Sequence, residues 1–175
     1  MKNVAIIATS LNPKSKSQIL ATKMEAHLKA QGVSVETVDL RKHDLPLAGT
    51  PGCWEHPDLE HINGVIGRAT HIVFAVPVYC YDVNAAAKNV IELMGRSFTE
   101  KVVGFICSAG GPGSYMSVMG MANHLMLDFR SVIVPRFFYT SGADWTEEGE
   151  LNAELEERIG MLYEDLKRVS VVPSA

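Results

Sequence analysis

A short segment after the first apolar run of the chain combines hydroxyl, amide and ammonium groups in a pattern that suits an anion. Residues 9–18 read Thr-Ser-Leu-Asn-Pro-Lys-Ser-Lys-Ser-Gln and lead directly into a helical pattern. The first amides of a helix have no partner within the helix, and the helix dipole favours negative charge there. A phosphate group therefore fits this turn. The residues alone leave open a second interpretation, in which Ser15 or Ser17 only caps the helix.

The same turn lacks the glycine-rich fingerprints of larger phosphate ligands. Neither the GxGxxG pattern of dinucleotide sites nor the GxxxxGK[ST] pattern of triphosphate sites is present. A short serine-rich turn also offers few donors and has no lysine in the P-loop position. We therefore expect a single phosphate, and hence a mononucleotide ligand.

Two later segments could form the walls of a site for a flat ring. Residues 77–82 read Pro-Val-Tyr-Cys-Tyr-Asp, and residues 108–113 read Ser-Ala-Gly-Gly-Pro-Gly. The first segment supplies aromatic and apolar surface, and the glycines of the second let the backbone approach a ligand closely. Together they suit an aromatic heterocycle, although each alone could be ordinary packing or an ordinary turn.

The cysteines and histidines favour neither a metal site nor a thiol phosphatase. The three cysteines are widely spaced and form no CxxC pair. Six residues after Cys80 stands Ala86, and six after Cys107 stands Gly113, so the arginine that a low-molecular-weight phosphatase needs is missing. We expect reduced thiols, no metal, and histidines at the surface or an interface. Within its loop, Cys80 is interpreted as a small apolar wall residue rather than a reactive thiol.

Composition favours one soluble globular domain, residues 1–175. Hydrophobic residues make up 47% of the chain, charged residues 21%, and the net charge is −4. The basic residues are dispersed, which argues against nucleic acid as a partner. The apolar run of residues 4–8 is too short for a signal-peptide core or a membrane span, so we expect a cytoplasmic protein without a membrane partner.

Patterns typical of strands and helices alternate along the chain. These elements would position the serine-rich turn and the segments 77–82 and 108–113. Apolar runs predict strands at residues 3–9, 33–40, 71–77, 101–108 and 132–138. Helical spacing predicts helices at 17–31, 57–69, 83–94 and 114–129, and Thr146 is expected to cap a last helix. Residues 41–56 form a long loop, and residues 169–175 read as a loosely held tail.

Buried strands that alternate with helices indicate an α/β fold with a parallel sheet covered on both faces. Five strands favour a flavodoxin-like three-layer sandwich, with a five-stranded parallel sheet of order 2-1-3-4-5. In such sheets ligands bind outside the carboxyl ends of the strands, near the switch point between strands 1 and 3. The serine-rich turn and the two ring segments follow strands 1, 3 and 4, and are therefore expected at one edge.

Three motifs, in this order, resemble the NAD(P)H-dependent FMN reductases of the flavodoxin-like superfamily. They are Ser-Leu-Asn-Pro-Lys-Ser at 10–15, Pro-Val-Tyr at 77–79 with Ala-Lys-Asn at 87–89, and Ser-Ala-Gly-Gly at 108–111. The similarity spans residues 4–142. The resemblance implies that the FMN phosphate is held by Ser10, Asn12, Ser15, Ser17 and Gln18. It implies that the isoalloxazine is lined by Pro77, Val78, Tyr79, Cys80, Tyr81, Ser108, Ala109, Gly110 and Gly111.

The resemblance also implies the chemistry, in which NADPH or NADH reduces FMN and the flavin passes electrons to a flavin, quinone or azo-type acceptor. No catalytic side chain is required, because the flavin carries the redox chemistry. Backbone donors from Gly110 and Gly111 are expected to stabilise the reduced ring, and Lys88 and Asn89 to have a structural role.

The chain departs from the family pattern at two places. Asn12 stands where the family usually has Arg, and Val78 and Cys80 stand where Pro-Glu-Tyr-Asn is common. The missing Arg weakens the phosphate site unless Lys14 or Lys16 compensates, and leaves the choice between NADH and NADPH open.

Excess apolar surface predicts a homodimer or homotetramer. The long loop contains Trp54, and the fourth helix contains several methionines that could instead pack in the core. Two other functions stay open: a flavodoxin-like carrier that passes electrons to protein partners, and a flavin-free scaffold. Electron carriers are usually strongly acidic around the flavin, so the net charge of −4 and the lysines of the turn favour the enzyme.

Overall fold

The computed structural model describes Met1 and residues 3–171, in which strands and helices alternate. The strands are β1 (Asn3–Ala8), β2 (Ser34–Asp39), β3 (His71–Tyr79), β4 (Asp82–Val83), β5 (Val102–Ser108) and β6 (Val132–Thr140). The helices are α1 (Lys16–Ala30), α2 (Pro57–Arg68), α3 (Ala85–Met94), α4 (Met119–Phe129) and α5 (Ala153–Arg168). Of the tail predicted to be loosely held, residues 172–175 lie outside the described residues.

The sheet has the predicted strand order. Its parallel strands follow the order β2-β1-β3-β5-β6, which is the flavodoxin-like order 2-1-3-4-5 because β5 and β6 are the fourth and fifth predicted strands. The sequence pattern did not predict β4, which pairs antiparallel with the end of β3.

Side chains that alternate along the central strands fill two separate cores, as expected for a sheet covered on both faces. Ile7, Phe74 and Phe105 point to the face covered by α2, α3 and α4. Ile6 and Val73 point to the opposite face, which α1 and α5 cover. The predicted three-layer arrangement is thus confirmed.

The predicted start of the last helix is wrong. Thr146 lies in a tight turn, where its amide donates to the carbonyl of Glu150 at 2.9 Å and Gly149 adopts a φ of 85°. A bridge between Trp145 and Leu151 closes this turn. The helix α5 begins only at Ala153, capped by the side chain of Asn152. Threonine followed by two glutamates suits both a helix start and a turn, and here the turn forms.

Two other predicted helices begin later than their patterns suggested. Residues 83–84 do not join α3, because Val83 belongs to β4 and Asn84 is the N-cap. Residues 112–118 form a 3₁₀ segment with a kink at Ser114, and regular α-helix starts at Met119. Both late starts follow loops at the carboxyl edge of the sheet, so these loops are longer than predicted.

None of the helices in the described residues is both long and apolar enough to cross a bilayer.

Glycines at two helical positions provide a test of the packing between α3 and α4. Gly95 follows α3 in right-handed helical conformation, and a Cβ added there would lie 2.2 Å from Cζ of Phe129. Gly67 is exposed in α2, and a Cβ there meets nothing within 4 Å. We expect Gly95→Ala to lower the free energy of unfolding by about 1–3 kcal/mol through overpacking. We expect Gly67→Ala to raise it by about 0.5–1 kcal/mol.

Urea denaturation of the two variants measures both effects on one protein. Because alanine is the substituent in each case, helix propensity alone predicts stabilisation at both sites. Equal stabilisation by the two substitutions would contradict the close contact with Phe129.

Candidate functional site

The structure brings the three sequence-predicted segments to one edge of the sheet. The amide of Thr9, just after β1, donates to the carbonyl of Ala75 in β3 at 3.0 Å. In the neighbouring strand pair, Pro77 of β3 lies opposite Ser108 of β5. The parallel register therefore places the serine-rich turn, the end of β3 and the glycine-rich loop beside one another.

The serine-rich turn is built around the start of α1. Ser15 is the N-cap of the helix, and its Oγ accepts from the amide of Gln18 at 3.3 Å. The hydroxyls of Ser15 and Ser17 are 2.9 Å apart, and both residues are buried. Asn12 Oδ1 accepts from the amide of Lys14 at 2.9 Å. Ser15 therefore caps the helix, whereas Ser17 lies inside its first turn.

Several polar groups of this turn have no partner within the described residues. The backbone amides of Ser10, Leu11, Lys16 and Ser17 donate to no other protein group there. Gln18 Oε1 is buried and accepts no hydrogen bond. The two ends of an amide can exchange by rotation, so Gln18 can place a donor at this position. An anion with several oxygens would satisfy these donors, and the turn therefore fits the phosphate of FMN.

A lysine beside the turn is held by an aromatic ring. The ammonium of Lys16 lies 5.1 Å from the ring centroid of Trp145, which comes from the segment after β6. Trp145 is buried, so the contact fixes a positive charge in the first turn of α1. Lys14 is exposed. Of the two lysines that could compensate for the missing Arg, Lys16 is the one held beside the helix start.

The segment predicted to be the ring loop is a tight hairpin. A two-residue turn at Cys80 and Tyr81 joins β3 to β4, with φ angles of 51° and 63°. Positive φ at both positions defines a type I′ turn, which usually carries Asn-Gly because other side chains are strained there. Pro77 and Val78 are buried, whereas Tyr79 and Tyr81 are 52% and 57% exposed. The two tyrosines therefore do not pack in the core.

Hydrogen bonds to its carbonyls hold the glycine-rich loop in place. The hydroxyl of Tyr139 donates to the carbonyl of Gly111 at 2.5 Å, and the amide of Gly142 donates to the carbonyl of Gly110 at 3.2 Å. The amide of Ala109 donates to Thr140, but the amides of Gly110 and Gly111 have no partner within the described residues. The loop therefore presents backbone donors at the sheet edge. Sequence reasoning missed Tyr139, which lies one residue beyond the predicted strand 132–138 but belongs to β6 in the structure.

A second pair of residues that sequence reasoning missed joins two of these segments. The hydroxyl of Thr9 donates to Oδ1 of Asn84 at 2.7 Å, and Nδ2 of Asn84 donates to the carbonyl of Thr9 at 2.8 Å. Both residues are buried. Thr9 is the first residue of the segment 9–18 but lies outside the motif at 10–15, and Asn84 lies outside the motifs at 77–79 and 87–89.

The Lys-Asn pair of α3 has the expected structural role. The side chain of Asn89 accepts from the amide of Ala48 at 2.8 Å and donates to the carbonyl of Pro46 at 2.9 Å. Lys88 forms an ion pair with Glu92 on the next turn. Asn89 thus fastens the long loop to the helix.

Two titratable side chains of the strands, Cys107 and His71, are buried in the protein interior. Burial raises the pKa of the Cys107 thiol well above its usual range, so this thiol stays protonated. His71 is buried and not at the surface as expected; its ring contacts the carbonyls of Leu166 and Val169 at 3.1 and 3.0 Å. Burial lowers the pKa of His71, which favours the neutral ring.

Within the described residues, no group of His, Cys, Asp and Glu is arranged to hold a metal ion.

Solved structures with the same fold cover nearly the whole chain. An oxidoreductase from Corynebacterium diphtheriae is 20% identical, with a TM-score of 0.78 over 96% of each chain. An apo NADH:FMN oxidoreductase is 14% identical, with a TM-score of 0.79 over 99% of this chain and 92% of that one. The flavoenzyme FerB, an NAD(P)H:(acceptor) oxidoreductase from Paracoccus denitrificans, is 18% identical, with a TM-score of 0.75 over 98% and 100%.

Sequence comparison gives the family. No curated protein matches the chain. The family model for NADPH-dependent FMN reductase matches residues 1–146, which include the serine-rich turn, the hairpin and the glycine-rich loop. With the order of the sheet and the unpartnered donors at its edge, this match shows that the chain belongs to the NADPH-dependent FMN reductase family.

Proposed function

We propose that this chain binds one FMN across the ends of β1, β3 and β5 and catalyses the reduction of a small acceptor by NADH or NADPH. Family membership makes the protein a flavin-dependent oxidoreductase that uses NAD(P)H. The observation that supports the position of the site is the meeting of a phosphate-type turn with a hairpin and a glycine-rich loop at one sheet edge.

In this proposal the serine-rich turn holds the phosphate. Ser10, Asn12, Ser15, Ser17 and Gln18 surround the unpartnered amides at the start of α1, where the helix dipole favours an anion. Lys16 supplies the positive charge that the family's Arg gives elsewhere, because Trp145 holds its ammonium beside the helix start.

The hairpin and the glycine-rich loop line the ring. Pro77 to Tyr81 supply one wall, and Ser108 to Gly111 approach the ring with backbone alone. FMN, when bound, would supply the hydride and electron chemistry between the nicotinamide and the acceptor. The amides of Gly110 and Gly111, which have no partner within the described residues, would stabilise negative charge on the ring. No side chain is required to move a proton.

The acceptor in this proposal is a small planar molecule of the flavin, quinone or azo class, reduced in the cytoplasm. The exposed rings of Tyr79 and Tyr81 stand beside the ring site, with Tyr115 on the segment that follows the glycine-rich loop. Flat apolar acceptors can stack on such side chains. The names of the similar structures, among them an azoreductase from Bacillus anthracis and a quinone oxidoreductase from Methanothermobacter marburgensis, agree with this class.

We also propose a homodimer or homotetramer, formed through the α3–α4 face. Leu127 is 77% exposed and Trp54 is 63% exposed, both beside a groove of about 700 Å³ between the two helices. Arg96 and Asp128 line the same groove without ion-pair partners in the described residues, so two copies could pair them. Of the four methionines in and before α4, Met121 packs in the core, whereas Met116, Met119 and Met126 are exposed.

Anaerobic mixing of the purified, flavin-loaded protein with NADH and with NADPH tests the activity. We expect the flavin absorbance near 450 nm to bleach rapidly with at least one donor and to return when a quinone is added. The comparison of the two donors decides the nicotinamide preference. Slow bleaching with both donors would favour the electron carrier, and protein that takes up no FMN would favour the scaffold.

Replacement of Ser17 tests the phosphate turn. Ser17→Ala removes a buried hydroxyl next to the free amides, and a hydrogen bond to a charged group contributes about 1.5–3 kcal/mol. We expect FMN to bind about ten times more weakly, while riboflavin, which has no phosphate, binds as before. Fluorescence titration measures both. Thr22→Ala is the control, because that hydroxyl lies one turn further along α1 and donates to the carbonyl of Gln18. Equal losses for the two flavins would contradict the assignment.

Replacement of Leu127 tests self-association. Leu127→Glu places a charge on the exposed apolar face, and we expect size-exclusion chromatography to show a shift from oligomer to monomer. Met161→Glu is the control, because Met161 is half-exposed on α5, on the opposite side of the sheet. A wild-type protein that elutes as a monomer would refute the proposed oligomer.

A further inference from the structure

The contact between Thr9 and Asn84 links two loops that the proposed function assigns to different parts of FMN. Thr9 directly precedes the serine-rich turn, and Asn84 directly follows the strand that closes the hairpin. Within the described residues, no other side-chain hydrogen bond joins residues 9–18 to residues 77–84. The relative position of the two loops beyond the ends of β1 and β3 therefore depends on this pair.

The geometry of the pair satisfies both ends of the Asn84 amide. Its oxygen accepts from the Thr9 hydroxyl at 2.7 Å, and its nitrogen donates to the Thr9 carbonyl at 2.8 Å. The Thr9 hydroxyl also lies 3.2 Å from the carbonyl of Ala75, but it has one proton and the shorter contact is to Asn84. Two reciprocal bonds between buried groups fix both the distance and the orientation of the two backbone segments.

Because its side chain bonds to Thr9, Asn84 does not cap the helix that follows it. It occupies the N-cap position of α3, with φ −66° and ψ 154°, yet its side chain caps no amide of the helix. Asparagine at this position normally accepts from an amide in the first turn and so stabilises the helix. Here the whole amide is used by Thr9, which indicates that the link between the loops matters more than the cap.

We propose that Asn84, together with Thr9, is a positioning residue that fixes the spacing between the serine-rich turn and the hairpin before FMN binds. This inference rests on the proposed function. A ligand that contacts both loops gains affinity when their spacing is fixed in advance, since less freedom is lost on binding. A ligand that contacts the ring loops alone does not gain in this way. The pair therefore sets how strongly the protein prefers FMN over riboflavin.

The test is to titrate flavin-free, full-length protein with FMN and with riboflavin. Thr9→Val keeps the side-chain shape and removes the hydroxyl, and Asn84→Ala removes both bonds. We expect each variant to bind FMN about tenfold more weakly, while the affinity for riboflavin changes by less than about twofold. The double variant is expected to match Asn84→Ala, because the two residues act through one contact. Thr9→Ser keeps the hydroxyl and is expected to restore the FMN preference.

The matched control is Ser131→Ala, which removes a buried 2.8 Å hydrogen bond to the carbonyl of Phe98, away from the FMN edge of the sheet. It is expected to lower Tm without changing the ratio of the two affinities. If Thr9→Val weakens the binding of FMN and of riboflavin by the same factor, the pair is only a general stabilising contact and the proposal is wrong. Unchanged FMN affinity in Thr9→Val would also overturn it. If Asn84→Ala does not fold, Thr9→Val and Thr9→Ser still decide the question. Wild-type protein that binds neither flavin would instead refute the proposed function itself.

Discussion

Parallel pairing of β1, β3 and β5 determines where the candidate functional residues lie. In a parallel sheet all strands end at the same edge, so loops that are far apart in sequence become neighbours in space. The register places the end of β1 opposite Ala75 and the end of β5 opposite Pro77. Without that register the serine-rich turn, the hairpin and the glycine-rich loop would be three unrelated surface segments.

Much of this arrangement could be predicted from the sequence because its signals are local. Continuous apolar runs identified the buried strands. Five such strands alternating with helices predicted the flavodoxin-like strand order, which the structure confirms. The hairpin after β3 was not predicted, because Cys80 and Tyr81 are not the residues that a type I′ turn normally carries. Tyr139 and Asn84 were missed for another reason: their roles depend on partners that lie 28 and 75 residues away in sequence.

The start of the last helix shows how a local signal can mislead. Thr146 has the acidic residues that usually follow an N-cap, but Trp145 pairs with Leu151 and packs into the core under α1 and α5. That tertiary contact keeps residues 146–150 in a turn. It also places the indole ring beside the ammonium of Lys16. The wrong prediction for the helix start and the position of the charge at the serine-rich turn therefore have one cause.

The close approach of Phe129 to Gly95 has a consequence for how this protein can change over evolutionary time. The shape of the α3–α4 groove depends on a position without a side chain, at the opposite end of α3 from the loops of the sheet edge. Substitutions there would reshape the groove and leave the strand ends untouched. The surface around the groove and the loops at the carboxyl edge of the sheet can therefore change independently in descendants of this sequence.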